Sequence, residues 1–166
     1  TLTVWESPGG VRAAMGTDGR STGVWGLDSE PQWTIDTEAS SLCGWSTPDG
    51  DRIATTSRFR RQVAVWDANG AEIRRLDADW AVRRLHAVVI DGRMCVVGLG
   101  ASLRIWDAGT GEVLHAGGGI VPVTQSCLVE MDGRPMVATG NDDGQLHLFD
   151  LSAADGPAPT GEVTAL

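Results

Sequence analysis

Hydrophobic and polar positions alternate along most of the chain, in short runs separated by turn-forming residues. The clearest run is 63–76, VAVWDANGAEIRRL. Val63, Val65 and Asp67 fall on one side and Ala64 and Trp66 on the other, and this period of two predicts a strand. Asn69-Gly70 supplies the positive φ angles of a tight hairpin, and Ala71 to Leu76 returns as the next strand. The same unit recurs at Leu103-Arg104-Ile105-Trp106-Asp107, followed by Gly109-Thr110-Gly111 and Glu112-Val113-Leu114. It recurs again at Leu146-His147-Leu148-Phe149-Asp150, followed after a longer loop by Gly161-Glu162-Val163.

The whole chain is periodic, with a spacing close to forty. Leu2-x-x-Trp5-x-x-Pro8-x-Gly10 returns as Leu42-x-x-Trp45-x-x-Pro48-x-Gly50, and the closing glycine continues as Gly92 and Gly133. A second aromatic series runs Trp25, Trp66, Trp106, Phe149. Each repeat reads as four strands, a to d. The repeats span approximately 1–37, 38–78, 79–119 and 120–166, with turns at Pro48-Asp49-Gly50, Asp91-Gly92, Asp132-Gly133 and Asp143-Gly144. No long segment shows helical apolar spacing, and the one low-complexity piece, Ser152 to Thr160, reads as an enlarged loop between the last two strands. A four-stranded unit with two apolar faces cannot bury both alone, so neighbouring units must stack. The predicted fold class is all-β, built of β-propeller blades of four antiparallel strands.

Composition narrows the function more than the fold. The 166 residues are 42% hydrophobic and 21% charged, which suits a packed domain. A net charge of −9 argues against general nucleic-acid binding, and no apolar run is long enough for a membrane helix. All 13 basic residues are arginine, which points to GC-rich codon usage and a bacterial source rather than to selection for bidentate arginine contacts. Cys43, Cys95 and Cys127 lack metal-ligand or redox spacing and fall inside predicted strands. They are expected to be small buried residues in a reducing, cytoplasmic compartment.

These residues resemble the tryptophan–aspartate (WD) repeat propellers. The resemblance rests on Trp66-Asp67, on Trp106-Asp107, and on Gly140-Asn141-Asp142-Asp143-Gly144 leading into Phe149-Asp150. It implies a binding frame and is almost silent about activity. The departures are informative. The family's Gly-His dipeptide is missing from every repeat. In the family a His, a b–c turn Asp, a Ser or Thr and the Trp form a buried polar network. Asp143 and Thr139 match two of those places, but Phe149 replaces the indole, while Arg60 and Gly100 stand at the turn position in repeats two and three. The blades are therefore expected to depend more on apolar packing than on polar networks. Trp25, Trp66, Asp67, Trp106, Asp107, Asp143 and Phe149 are the expected structural markers, with Trp66 and Trp106 buried between blades.

No catalytic constellation is visible. His86, His115 and His147 lie in three different strand types, no serine occupies a nucleophile turn, and Asp142-Asp143 reads as a turn former rather than a metal site. No cofactor or metal is expected. One cluster does stand out. Arg58, Arg60 and Arg61 lie in the b–c turn of repeat two, and Trp80, Arg83 and Arg84 lie in or beside the following d–a connection. In a propeller these connections emerge on the same face, and arginine with tryptophan is the composition of an interaction hot spot. The expected function is a non-catalytic protein-interaction or scaffolding module with a protein partner, and neither nucleic acid nor membrane. The alternative is a sensor or recruitment domain of a larger bacterial effector or enzyme. The chain lacks an initial Met, which reads as an excised segment or a processed product. Four whole repeats, against the seven or eight units that the resemblance implies, predict an open half-ring. A homodimer would close it as an eight-bladed ring, or another fragment or a parent chain would supply the remaining blades.

Overall fold

Turn glycines and period-two alternation set the strand boundaries. The computed structural model describes residues 1–16, 21–26, 31–57, 60–119, 123–152 and 159–164. Among these there is no helix, and hence none long and apolar enough to cross a membrane. The first sheet contains β1 (Leu2–Ser7), β2 (Gly10–Gly16), β3 (Thr22–Trp25) and β4 (Pro31–Ile35). The second contains β5 (Ser41–Thr47), β6 (Gly50–Thr56), β7 (Gln62–Asp67) and β8 (Glu72–Asp77). The third contains β9 (Arg84–Ile90), β10 (Arg93–Leu99), β11 (Ser102–Asp107) and β12 (Val113–Gly119). The fourth contains β13 (Gln125–Met131), β14 (Arg134–Gly140), β15 (Gln145–Asp150) and β16 (Pro159–Thr164). Each sheet is hydrogen-bonded in chain order, the antiparallel meander of a β-propeller blade.

The four sheets share one register. Ala13 faces Trp25, Ile53 faces Trp66, Val96 faces Trp106 and Val137 faces Phe149 across the second and third strands. In every sheet the ladder between the third and fourth strands shifts register immediately before that aromatic. A bulge there sharpens the local twist and re-aims the aromatic side chain. Two-residue a–b turns need left-handed backbone. Asp91 and Asp132 take φ of 50° and 53°, each followed by a glycine at φ 76° and 73°. Asp is among the few side chains that tolerate this, and Gly does so without a Cβ penalty.

The chain divides into two compact units, 1–87 and 88–166. In the first, Trp5, Ala14, Val24 and Ile35 of the first sheet pack with Leu42 and Ile53 of the second, with Trp33 and Trp66 partly buried against them. Gly44 makes this possible: a Cβ there would fall 2.5 Å from the Trp5 ring. In the second unit, Ile90, Cys95, Val97, Leu103 and Ile105 pack with Val137 and Phe149, with Val88 and Leu128 at the margin. In both units, then, consecutive blades pack face to face.

Two side chains depart from the expected burial. Trp66 is only half-buried, because it lines an open cleft. Cys127 is exposed while Cys43 and Cys95 are buried. Strand alternation puts Cys127 on the face opposite to Leu128, away from the third sheet.

Candidate functional site

The b–c turn of the second sheet and the connection from β8 to β9 are tied by backbone. The Ala78 amide donates to the Arg61 carbonyl (2.8 Å) and the Val82 amide to the Arg60 carbonyl (3.3 Å). The Leu85 amide then donates to Ser41 Oγ (2.9 Å), which anchors the far end of the connection. Ala78 and Val82 are buried, so the segment between them is pinned at both ends. Arg60, Arg61 and Arg83 are exposed, and Trp80 is half-buried. Arg84 is half-buried and donates to the Arg83 carbonyl (3.0 Å). Four of the six residues singled out in the sequence thus lie on two adjoining connections, and a fifth, Arg84, opens β9. Arg58 lies outside the described residues.

A cleft of about 420 Å³ opens beside this patch, within the first unit. Arg60 stands at its edge; Asp36, Thr37 and Glu38 of the β4–β5 connection form one wall. Thr55, Ala64 and Trp66 line it from the second sheet, and Glu72 and Arg75 from the outer strand. Arg75 and Glu72 form a two-point ion pair. Sequence reading missed this cleft, because its walls come from segments far apart in the chain.

The residues shared with the WD pattern have distinct roles. Asp67 Oδ1 accepts the amides of Asn69 and Ala71, Asp107 Oδ1 those of Gly109 and Thr110, and Asp150 Oδ1 that of Ser152. Each aspartate organises the turn after its strand. Backbone amide bonds hold Asp67 and Asp107 below the usual carboxylate range, and for Asp150 the Ser152 hydroxyl and amide do so. Trp66 Nε1 donates to Thr55 Oγ1 (2.8 Å). The register-equivalent of Thr55 is Met15 in the first sheet and Gly98 in the third, and in the fourth Thr139 meets Phe149 instead of an indole. Trp106 is fully buried, and its Nε1 has no acceptor among the described residues. Trp25 is half-buried over Gly23, and Asp143 is exposed in a turn whose amide donates to Asn141 Oδ1 (3.1 Å).

A polar network does join two blades, at a place the sequence did not reveal. Buried Asp51 on β6 accepts from Trp5 Nε1 (3.4 Å), Ser7 Oγ (3.3 Å) and Arg12 Nε (3.2 Å) of the first sheet, and from Ser46 Oγ (2.5 Å) of its own. Burial alone would raise the Asp51 carboxyl, but the bonds from Ser46, Ser7 and Trp5 and the Arg12 charge outweigh it and hold it low. Apolar packing is therefore supplemented here by a carboxylate with four donors. The partners lie up to 46 positions away, so local spacing gives no signal for them.

The remaining titratable groups among the described residues do not gather into a metal-ligand set. His86 is pushed down to about 4 by burial and by Arg84, and burial also lowers His115. Burial pushes the Cys43 thiol up to about 12. Among the described residues no three His, Cys, Asp or Glu side chains gather as metal ligands. No protein-family model matches the chain, and no curated protein matches it.

Proposed function

We propose that this chain is a non-catalytic protein-interaction module of WD-repeat type, acting in the cytoplasm. On this reading it binds a protein partner through the surface formed by Arg60, Arg61, Trp80, Arg83 and Arg84, with Arg58 of the same turn as a further contact. The observation that carries the reading is the backbone tie between the Arg60–Arg61 turn and the Ala78–Val82 segment. It holds the exposed Arg60 and Arg61 next to the connection that carries the half-buried Trp80 and the exposed Arg83. Such a surface suits partner carboxylates, which arginine holds through paired donors, with the indole as the apolar anchor. The WD reading draws support from the turn-organising aspartates and from the Trp66–Thr55 bond.

The cleft favours a second reading, a sensor domain of a larger protein. Its volume of about 420 Å³ lies within the usual range for small-ligand sites. Affinity capture from the source proteome separates the two. The first reading expects a protein retained by the wild-type chain and lost with Arg61→Ala/Arg83→Ala. Capture unaffected by that variant, or recovery of small metabolites alone, contradicts it, and turnover of any substrate excludes the non-catalytic assignment.

A further inference from the structure

We propose that the cleft of the first unit binds a free basic α-amino acid, a ligand with two cationic groups and one carboxylate. This rests on the second reading above, that the cleft is a small-ligand site, and adds the chemical class of the ligand.

The charges around the cleft leave a definite remainder. Glu72 and Arg75 neutralise each other through their two-point ion pair. Asp36, Glu38 and Arg60 also line the cleft, and all three are exposed. Among the described residues none of these three side chains has a hydrogen-bonding or charged partner. Two carboxylates and one guanidinium are therefore open to a ligand. A basic amino acid carries the complementary set: an α-ammonium, a side-chain cation and an α-carboxylate. Arginine holds a carboxylate through paired donors, and each ligand cation finds a carboxylate. A simple amine would meet Arg60 with nothing to offset it, and a neutral amino acid would leave one of the two acids unmatched.

The second-sheet side of the cleft agrees. Trp66 lies there beside Thr55 and Ala64. The one donor of its indole is already spent on Thr55 Oγ1 (2.8 Å). What the indole offers a ligand is its ring, which suits the methylene stem of a basic side chain and attracts the cation at its end.

The backbone behind these charges is fixed. The acidic wall runs between buried Ile35 and Ala39. Thr22 Oγ1 donates to the Thr37 carbonyl (3.1 Å), and the Ser40 amide and hydroxyl both donate to the Thr56 carbonyl (2.8 and 3.1 Å). The Arg60 amide donates to the Ser57 carbonyl (3.1 Å), while the Arg60 carbonyl accepts the Val82 amide. Binding then orders a few side-chain ends rather than a loop, which keeps its entropic cost low.

Titration calorimetry on the whole chain tests this, together with the NMR signal of the Trp66 indole N–H, assigned by its loss in Trp66→Phe. L-Arginine and L-lysine should both bind and shift that signal. Agmatine lacks the carboxylate and L-norvaline lacks the side-chain cation; each should bind at least about tenfold more weakly than arginine, as for one lost charge-assisted contact. Asp36→Asn/Glu38→Gln should weaken arginine binding by at least about the same factor with an unchanged far-UV circular dichroism spectrum. Arg60→Ala should erase the difference between arginine and agmatine. Agmatine or norvaline bound as tightly as arginine overturns the inference, as does arginine binding that survives the double variant. If glutamate or norvaline shifts the Trp66 signal while arginine and lysine do not, the inference falls and the small-ligand reading stands. If none of these compounds shifts it, both fall.

Discussion

A carboxylate surrounded by four donors favours its charged form, so Asp51 ties folding to pH. Its folded value lies below the ordinary one, so its contribution is present above the usual carboxylate range. It is lost as pH falls through the lowered folded value. Asp67, Asp107 and Asp150 are shifted the same way and add to the acid sensitivity. Replacing Asp51 with Asn should cost about 2–3 kcal/mol near neutral pH, as for hydrogen bonds to a charged group. The difference from wild type should shrink as pH falls below about 4; denaturant unfolding at several pH values reads it. A pH-independent difference would mean that shape, not charge, is what Asp51 supplies. Trp106 is fully buried, and its replacement by Ala should cost about 3–5 kcal/mol. Its indole nitrogen has no acceptor among the described residues. Trp106→Phe should therefore cost far less than the loss of a large buried ring implies, because it also removes a donor that the described residues leave unsatisfied. Calorimetric melting of both variants gives the comparison.

At the scale of the element, each blade is held by a bulge before its aromatic and by turns that need left-handed backbone. Gly133 has φ 73°, and a Cβ added there would meet open space. Gly133→Ala should cost about 1 kcal/mol through backbone conformation alone, and a urea titration would show it as a shifted midpoint with an unchanged slope. Strands were legible because alternation and turn chemistry are local: 62–67, 102–107 and 145–150 follow directly from period two and flanking Gly or Asp. Which face of a strand is covered is not local. Cys127 lies in a strand as expected, yet it is exposed, since its burial depends on what stacks on the fourth sheet. Trp66 occupies a repeat position as expected, yet it borders a cleft whose opposite wall is Asp36–Glu38. Asp51 lies in a segment that reads as ordinary turn and strand, and its donors come largely from another blade.

For the whole molecule, sixteen strands and no helix among the described residues predict a far-UV circular dichroism spectrum with very little helix. A helical content above about a fifth would contradict the fold, since mixed domains already exceed that. The repeated sheet supplies rigidity while the connections supply chemistry, which is the usual division of labour in such folds. The candidate surface was visible in the sequence because the arginines and Trp80 cluster within two neighbouring connections, and the hydrogen bonds from Ala78 and Val82 bring those connections together. The central functional claim is that this surface binds a protein. The most direct test is the dissociation constant of the captured partner, measured by titration calorimetry for the wild type and for Arg60→Ala/Trp80→Ala. The account predicts at least about a tenfold weakening, as for loss of hot-spot side chains, with the melting temperature of the isolated chain unchanged. An equal dissociation constant, or a double variant that no longer folds, would contradict it.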